Sequence, residues 1–175
     1  MYKLTTALVT LFLLTSSVLA QATATWVRLA PAGGGYAVML PGTAEPQEIT
    51  KEQYSAKLYT LIVKDGSSPR VIYLVGVGDY APTVKVDPAT ELPADRDNFI
   101  KALPGMKLVE SHNVTLDGRP GIELTGESDQ TTVTAKFYLK GNRVYQAAAL
   151  IFKGANEKEN VMKFFDSFAF IDQTY

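Results

Sequence analysis

The side chains able to do chemistry are sparse and scattered. His112 is the single histidine of the 175-residue chain, and cysteine is absent. A histidine next to Ser111 offers two parts of a Ser-His-Asp relay. The nucleophile of such a relay is lifted out of the backbone by a sharp turn, and no G-x-S-x-G elbow exists here. Nor does H-E-x-x-H, which would set two imidazoles on one helix face around zinc. His112 therefore reads as a solvent-facing strand residue. The lack of cysteine removes thiol catalysis, disulfides, zinc–thiolate sites and the acylated cysteine of a bacterial lipoprotein anchor.

The carboxylates form no recognised ligand pattern. Asp95 and Asp97 flank Arg96 near a helix start, where negative charge suits the helix dipole. With Asp87 and Glu91 they make a loose oxygen cluster, but the spacing and glycine of a calcium loop are missing, so solvated surface charge is the reading adopted. Glu123 and Glu127 fall on one side of one strand. Only a further acid brought in by the fold would turn either into a glycosidase-like pair. Gly33-Gly34-Gly35 is followed by another strand-like run instead of a helix N-terminus, so it reads as a hairpin loop and not a phosphate cradle. No catalytic, cofactor-binding or metal-ligating residue is assigned, and no cofactor is expected.

One constellation remains. Thr131–Lys140 and Arg143–Lys153 read as two strands joined by Gly141-Asn142, a pair suited to the positive φ angles of a two-residue hairpin turn. That turn sets Lys140 opposite Arg143, Leu139 opposite Val144 and Tyr138 opposite Tyr145. One face of the ribbon carries Val133, Ala135, Phe137, Leu139, Val144, Ala148 and Leu150, and a slip of one residue would expose it. The other face sets Tyr138 against Tyr145, with Lys136, Lys140 and Arg143 around them and Ala147 and Ala149 as a shallow floor. Tyr138, Tyr145 and Lys136 are the residues proposed from the sequence to meet a ligand or partner.

The elements that position this ribbon follow from periodicity. WVRLAP (26–31), YAVMLPG (36–42), PQEITKEQ (46–53), KLYTLIVK (57–64) and RVIYLVGVGDY (70–80) read as strands. The last is apolar on both faces, as in a strand covered on both sides, and Gly76 and Gly78 hint at a bulge or close backbone approach. Residues 81–93 read as irregular. A short helix is expected over 94–103, with Pro93 at its start and Pro104-Gly105 at its end. MKLVESHNVTL and PGIELTGES form a hairpin around Asp117-Gly118, so residues 106–152 make a four-stranded antiparallel meander. The chain then enters an amphipathic helix with Asn156 and Glu159 as a capping box and Val161, Phe164, Phe165 and Phe168 as one apolar stripe, Phe165 a buried anchor. The fold expected is α+β: a mainly antiparallel sheet of about seven to nine strands, a short central helix, and a C-terminal amphipathic helix packed on it.

The N-terminus has a basic residue, an apolar centre too short to span a bilayer, and the small-residue pattern Ala20-Gln21-Ala22. It reads as a signal peptide over 1–22, cut after Ala20 or Ala22, leaving 23–175 as one domain exported to the periplasm or the medium, with no membrane span. Loss of Lys3 leaves 16 basic against 18 acidic residues, a net charge of −2. No basic stripe points to nucleic acid. The segments GYAVMLPGTAEPQ and RVYQAAALIFKGANEKENVMKFFDSFAF resemble small exported bacterial proteins whose "Y/F-x-V-x-x-PG" segment opens the domain and whose "KFFDSF"-type helix closes it, a group similar to the PsbP-like α/β sandwich. The resemblance implies an antiparallel sheet with helices and a non-catalytic role, and carries over no functional residue. The function expected is that of a monomeric, exported binding or accessory protein for an unknown protein or small ligand. A small hydrolase using carboxylates assembled by the fold is the alternative, and a cell-envelope structural protein the second.

Overall fold

A computed structural model describes residues 25–171; the expected leader and its cleavage positions lie outside the described residues. The elements are β1 (Val27–Leu29), β2 (Tyr36–Leu40), β3 (Glu45–Lys51), β4 (Tyr54–Asp65), β5 (Ser68–Tyr80), α1 (Pro88–Ala102), β6 (Lys107–Leu116), β7 (Arg119–Glu127), β8 (Thr131–Lys140), β9 (Arg143–Phe152), α2 (Lys158–Asp166) and β10 (Ala169–Phe170). The fold is α+β and mostly antiparallel sheet, as the sequence predicts. Seven strands form one sheet in the order β3-β4-β5-β9-β8-β7-β6, and β1-β2-β10 form a small second sheet. The meander over β6–β9 is present with the predicted register: Tyr138 pairs with Tyr145 and Lys140 with Arg143.

Both faces of the large sheet are covered. On one lies α1, over Phe137, Leu139, Val144, Ala148, Ile122 and Leu124, with Phe99 edge-on to Phe137 at 5.6 Å. On the other lie α2 and the small sheet, over Val71, Tyr73, Val75, Tyr138, Tyr145, Ala147 and Ala149. The two-sided apolar pattern of β5 is thereby explained, since alternate residues face the two clusters. Its glycines mark close approach and not a bulge: a Cβ at Gly76 would run into the Lys57 carbonyl, and one at Gly78 into the Tyr54 hydroxyl.

Three local expectations are corrected. The first helix begins at Pro88, not at residue 94. Asp87 caps it, its Oδ1 accepting from the Ala89 N–H at 3.0 Å, and Pro88 takes the first helical position, where its missing N–H is not needed. Pro93 sits inside the helix, so the strongest apparent start signal was the wrong proline. The Asn156–Glu159 capping box does not form either. Glu157 holds the cap position without capping; its carboxylate turns inward, 2.6 Å from Arg70 Nη2, and accepts from Asn160 Nδ2 at 2.9 Å. Finally, Phe164 and not Phe165 is the fully buried ring of α2; Phe165 is half-buried.

The chain ends are pinned together by polar as well as apolar contacts. Ser167 Oγ accepts from the Met39 N–H at 2.8 Å and donates to the Phe164 carbonyl at 2.7 Å. β10 pairs with β2, and the Ile171 N–H reaches the Gly35 carbonyl at 3.1 Å. Truncating Phe164 to alanine is expected to cost about 3–5 kcal/mol in a urea melt, as for a buried aromatic. The same change at half-buried Phe165 should cost clearly less, and at exposed Met162 less than about 0.5 kcal/mol. Equal losses at Phe164 and Phe165 would contradict this docking of α2.

Candidate functional site

Tyr138 and Tyr145 do not line an open face. Their exposures are 7 % and 1 %. The small sheet and the residues after α2 close over them: Phe168 stacks on Tyr138 at 5.9 Å, Phe170 meets Tyr145 edge-on at 4.9 Å, and Tyr36 meets both Tyr145 and Phe168. Burial raises the hydroxyl pKa of both tyrosines above the ordinary range, so both remain neutral donors. Tyr138 also lies across Gly121 of the neighbouring strand, where a Cβ would collide with its ring. The shallow floor of Ala147 and Ala149 expected from the sequence is thus the seat of α2 and β10. The physical reason is that a ribbon face reading as aromatic-plus-alanine is as good a packing surface as the aliphatic face opposite.

Lys136 stays at the rim. Its Nζ lies 3.1 Å from Glu123 Oε2 and over the Phe165 ring. His112 Nε2 approaches the same carboxylate at 3.8 Å from the next strand and is half-exposed. Lys136, Glu123 and His112 are cross-strand neighbours, so they form a polar row running outward from α2 to β6, the edge of the large sheet. On that edge, beside an irregularity in register between Leu108 and Glu110, Leu108 is 41 % and Val109 65 % exposed. Next to it, a hollow of about 390 Å³ opens between the 103–106 turn and the β7–β8 turn, lined by Leu103, Met106, Thr131 and Leu150 among others.

A second cluster forms where sequence reasoning saw only surface charge. Of Asp87, Glu91, Asp95 and Asp97, the first is a helix cap and the last pairs with Arg96 at 2.7 Å. Glu91 and Asp95, one helical turn apart, instead face β4 and β5. The Tyr80 hydroxyl donates to Glu91 Oε1, and the Tyr54 ring packs on Tyr80 at 5.0 Å, over the space left by Gly78. Asp95 Oδ2 is buried without a partner. Burial, and then the Glu91 charge, push the Asp95 pKa up to about 7. Burial, followed by the charges of Asp95, Glu91 and Asp79, raises Tyr54. Asp79 itself is gripped by both Nε and Nη2 of Arg143, which also donates to the Gly33 carbonyl at 2.8 Å and so ties the glycine loop to the β5–β9 pair. This arrangement keeps a proton on the buried Asp95 carboxyl up to near neutrality. The i, i+4 spacing of Glu91 and Asp95 is the sequence signal for it, and it is legible only with the helix beginning at Pro88.

Among the described residues no group of three or more His, Asp or Glu side chains is placed to hold a metal ion, and no helix is long and apolar enough to cross a membrane. The contact between Gly78 and Tyr54 is open to test. Gly78→Ala should destabilise by about 1–3 kcal/mol through overpacking, and adding Tyr54→Ala should recover part of that loss, since the ring is what the new methyl meets. Strict additivity of the two changes in a double-mutant cycle would show that the ring does not occupy that space.

No family model and no curated protein matches the sequence. Among solved structures, the fold is similar to that of CyanoP, the cyanobacterial PsbP of Synechocystis sp. PCC 6803, with a TM-score of 0.57 and 11 % identity over 90 % of this chain and 99 % of that one. A protein of unknown function from Pseudomonas aeruginosa (TM-score 0.46, 13 % identity) aligns over 77 % of this chain and 88 % of its own. LpqN of Mycobacterium tuberculosis, involved in cell envelope biogenesis (TM-score 0.43, 17 % identity), aligns over 76 % of this chain and 87 % of its own. The two-sided antiparallel sheet closed by a C-terminal helix is therefore a PsbP-like fold.

Proposed function

We propose that this protein is an exported, non-catalytic binding or accessory protein, delivered by the leader at 1–22, whose residues 23–175 act as one monomeric domain and engage a protein partner along the free edge of β6. One observation carries the reading: Leu108 and Val109 stand exposed on a strand whose outer edge is unpaired among the described residues. Exposed apolar residues on an open strand edge invite pairing with another chain, and soluble proteins blunt such edges unless they use them. An extended partner segment would gain main-chain hydrogen bonds from β6 and apolar contact from Leu108 and Val109. The row of His112, Glu123 and Lys136 would add polar contacts behind the edge, with Tyr138 and Tyr145 supporting that face from beneath. Export is supported by the leader pattern, and the accessory role by the fold.

A photo-crosslinking residue placed at position 109 in cells should give one discrete adduct, and the same residue at exposed position 162 on α2 should not. Adding Leu108→Ser should cut adduct yield about tenfold, equivalent to about 1.4 kcal/mol of binding, without altering the circular dichroism spectrum. Comparable adducts from both positions, or none from 109, would remove the β6 edge from the proposal.

One observation favours a second reading, a carboxylate-dependent hydrolase. Glu91 and Asp95 are neighbouring carboxyls of which one retains its proton to about pH 7, the property required of a general acid at neutral pH. On that reading, hydrolysis of a panel of glycosides and esters should fall by about 100-fold or more in Asp95→Asn. Equal turnover by wild type and variant, or none by either, dismisses it.

A further inference from the structure

The two halves of α1 are held by different forces. Its C-terminal half is anchored by apolar packing. Phe99 meets Phe137, and Ile100 Cδ1 fills the space over Gly126 beside Val133 and Met106. The N-terminal half buries Leu92 but is otherwise held by polar groups: the Asp87 cap, the Tyr80–Glu91 hydrogen bond and the inward carboxyl of Asp95. Between Glu91 and Asp95 stands Pro93, whose nitrogen cannot donate to the helix, so the backbone ladder is interrupted where the two kinds of attachment meet. The loop leading into this half is held by the Ala81 N–H, which donates to the Gln53 carbonyl at 3.0 Å, and by one side chain. Asn142 Nδ2 of the β8–β9 turn donates to the carbonyls of Ala81 at 3.1 Å and Val84 at 2.9 Å.

We propose that Glu91 and Asp95 form a pH-sensitive latch: while the inward Asp95 carboxyl is protonated, Glu91 beside it holds the first turns of α1 on the Tyr54–Tyr80 pair, and as the pH climbs from acid to neutral, loss of that proton lets these turns swing out about Pro93, carrying Glu91 away from Asp95. Two ionised carboxylates cannot sit side by side against tyrosine rings without solvent or a cation between them. The groups around the pair supply none. Glu91 is on the helix itself, β4 contributes Tyr54, and β5 contributes Tyr80 and, beyond it, Asp79. Arg143 of β9 is already committed to Asp79 and the glycine loop. Arg96 pairs outward with Asp97.

The direction follows from proton counting. With the Asp95 pKa raised to about 7, the latched form carries one proton more than the released form between the ordinary carboxyl range and about pH 7. The released population therefore rises with pH, by at most about tenfold per unit for one proton, and levels off once the latched form also deprotonates.

Hydrogen exchange of the whole domain, corrected for the intrinsic pH dependence of amide exchange, reads this out. From pH 5 to pH 7, amides of residues 91–95 should lose up to about 100-fold in protection relative to those of β8. Asp95→Asn, which is isosteric and cannot ionise, should abolish the difference. Glu91→Gln, which still accepts from Tyr80 but removes the neighbouring charge, should keep the effect and move its plateau to lower pH. The proposal is overturned if α1 and β8 amides keep the same ratio at every pH, or if Asp95→Asn retains the wild-type dependence.

Discussion

The pairing of β5 with β9 is the constraint on which everything else rests. Val71 to Asp79 runs antiparallel to Ile151 to Arg143, joining β3-β4-β5 to β9-β8-β7-β6. α1 rests mainly on β7 and β8, while the cluster under α2 draws on β5 as well as on β8 and β9. Joined, the two strand groups present one face to α1 and the other to α2 with the small sheet. The pairing spans about seventy residues of chain, an ordering cost in loop entropy that local strand propensity does not repay. What stabilises it is burial under the α2 layer: Val71, Tyr73 and Val75 are fully enclosed, as are Ala147 and Ala149 opposite them. Small residues on β9 against large ones on β5 let the α2 layer approach closely. Arg143 then fastens the end of the ladder through Asp79 and carries the attachment on to the glycine loop.

That division explains which parts of the fold were legible in the sequence. Strand identities came from runs of β-branched and aromatic residues, and the hairpins over β6–β9 from Asp117-Gly118, both at positive φ, and Gly141-Asn142, where Gly141 alone takes the positive φ and Asn142 does not. These are short-range signals. The β5–β9 pairing is not one, and a strand apolar on both faces says only that it is covered, not by what. The same holds for β10. Two residues carry no periodicity, and the strand exists because Phe168 and Phe170 close over Tyr36, Tyr138 and Tyr145.

The candidate sites show the same limit from the other side. Tyr138 and Tyr145 were singled out by composition, as aromatics among cations with small neighbours. A binding face and a helix seat share that composition, and only the third layer decides between them. Lys136 keeps its rim position because a lysine over an aromatic ring can hold its charge in water. Glu91 and Asp95 were passed over for the opposite reason. Read in a loop and a helix start, they are unrelated surface acids; with α1 beginning at Pro88 they fall one turn apart on the side facing Tyr80. A shift of six residues in one helix boundary thus turns scattered charge into a coupled pair.

The glycines Gly78 and Gly121 show how closely packing and chemistry are linked in such a sheet. Each is a strand position stripped of its side chain so that a tyrosine from the adjacent strand can lie flat across it, Tyr54 in one case and Tyr138 in the other. Over Gly121 the ring joins the aromatic layer under β10 and is sealed. Over Gly78 it instead reaches the end of the sheet, meets Tyr80, and confronts the carboxyls of α1. The same backbone device therefore has opposite outcomes on the two faces. Where the covering layer is aromatic, the tyrosine is enclosed among rings. Where the covering layer is an acidic helix turn, burial and then the neighbouring Glu91 charge raise the Asp95 pKa. At that second contact a sheet built for burial meets carboxyl charge that no cation beside it among the described residues neutralises.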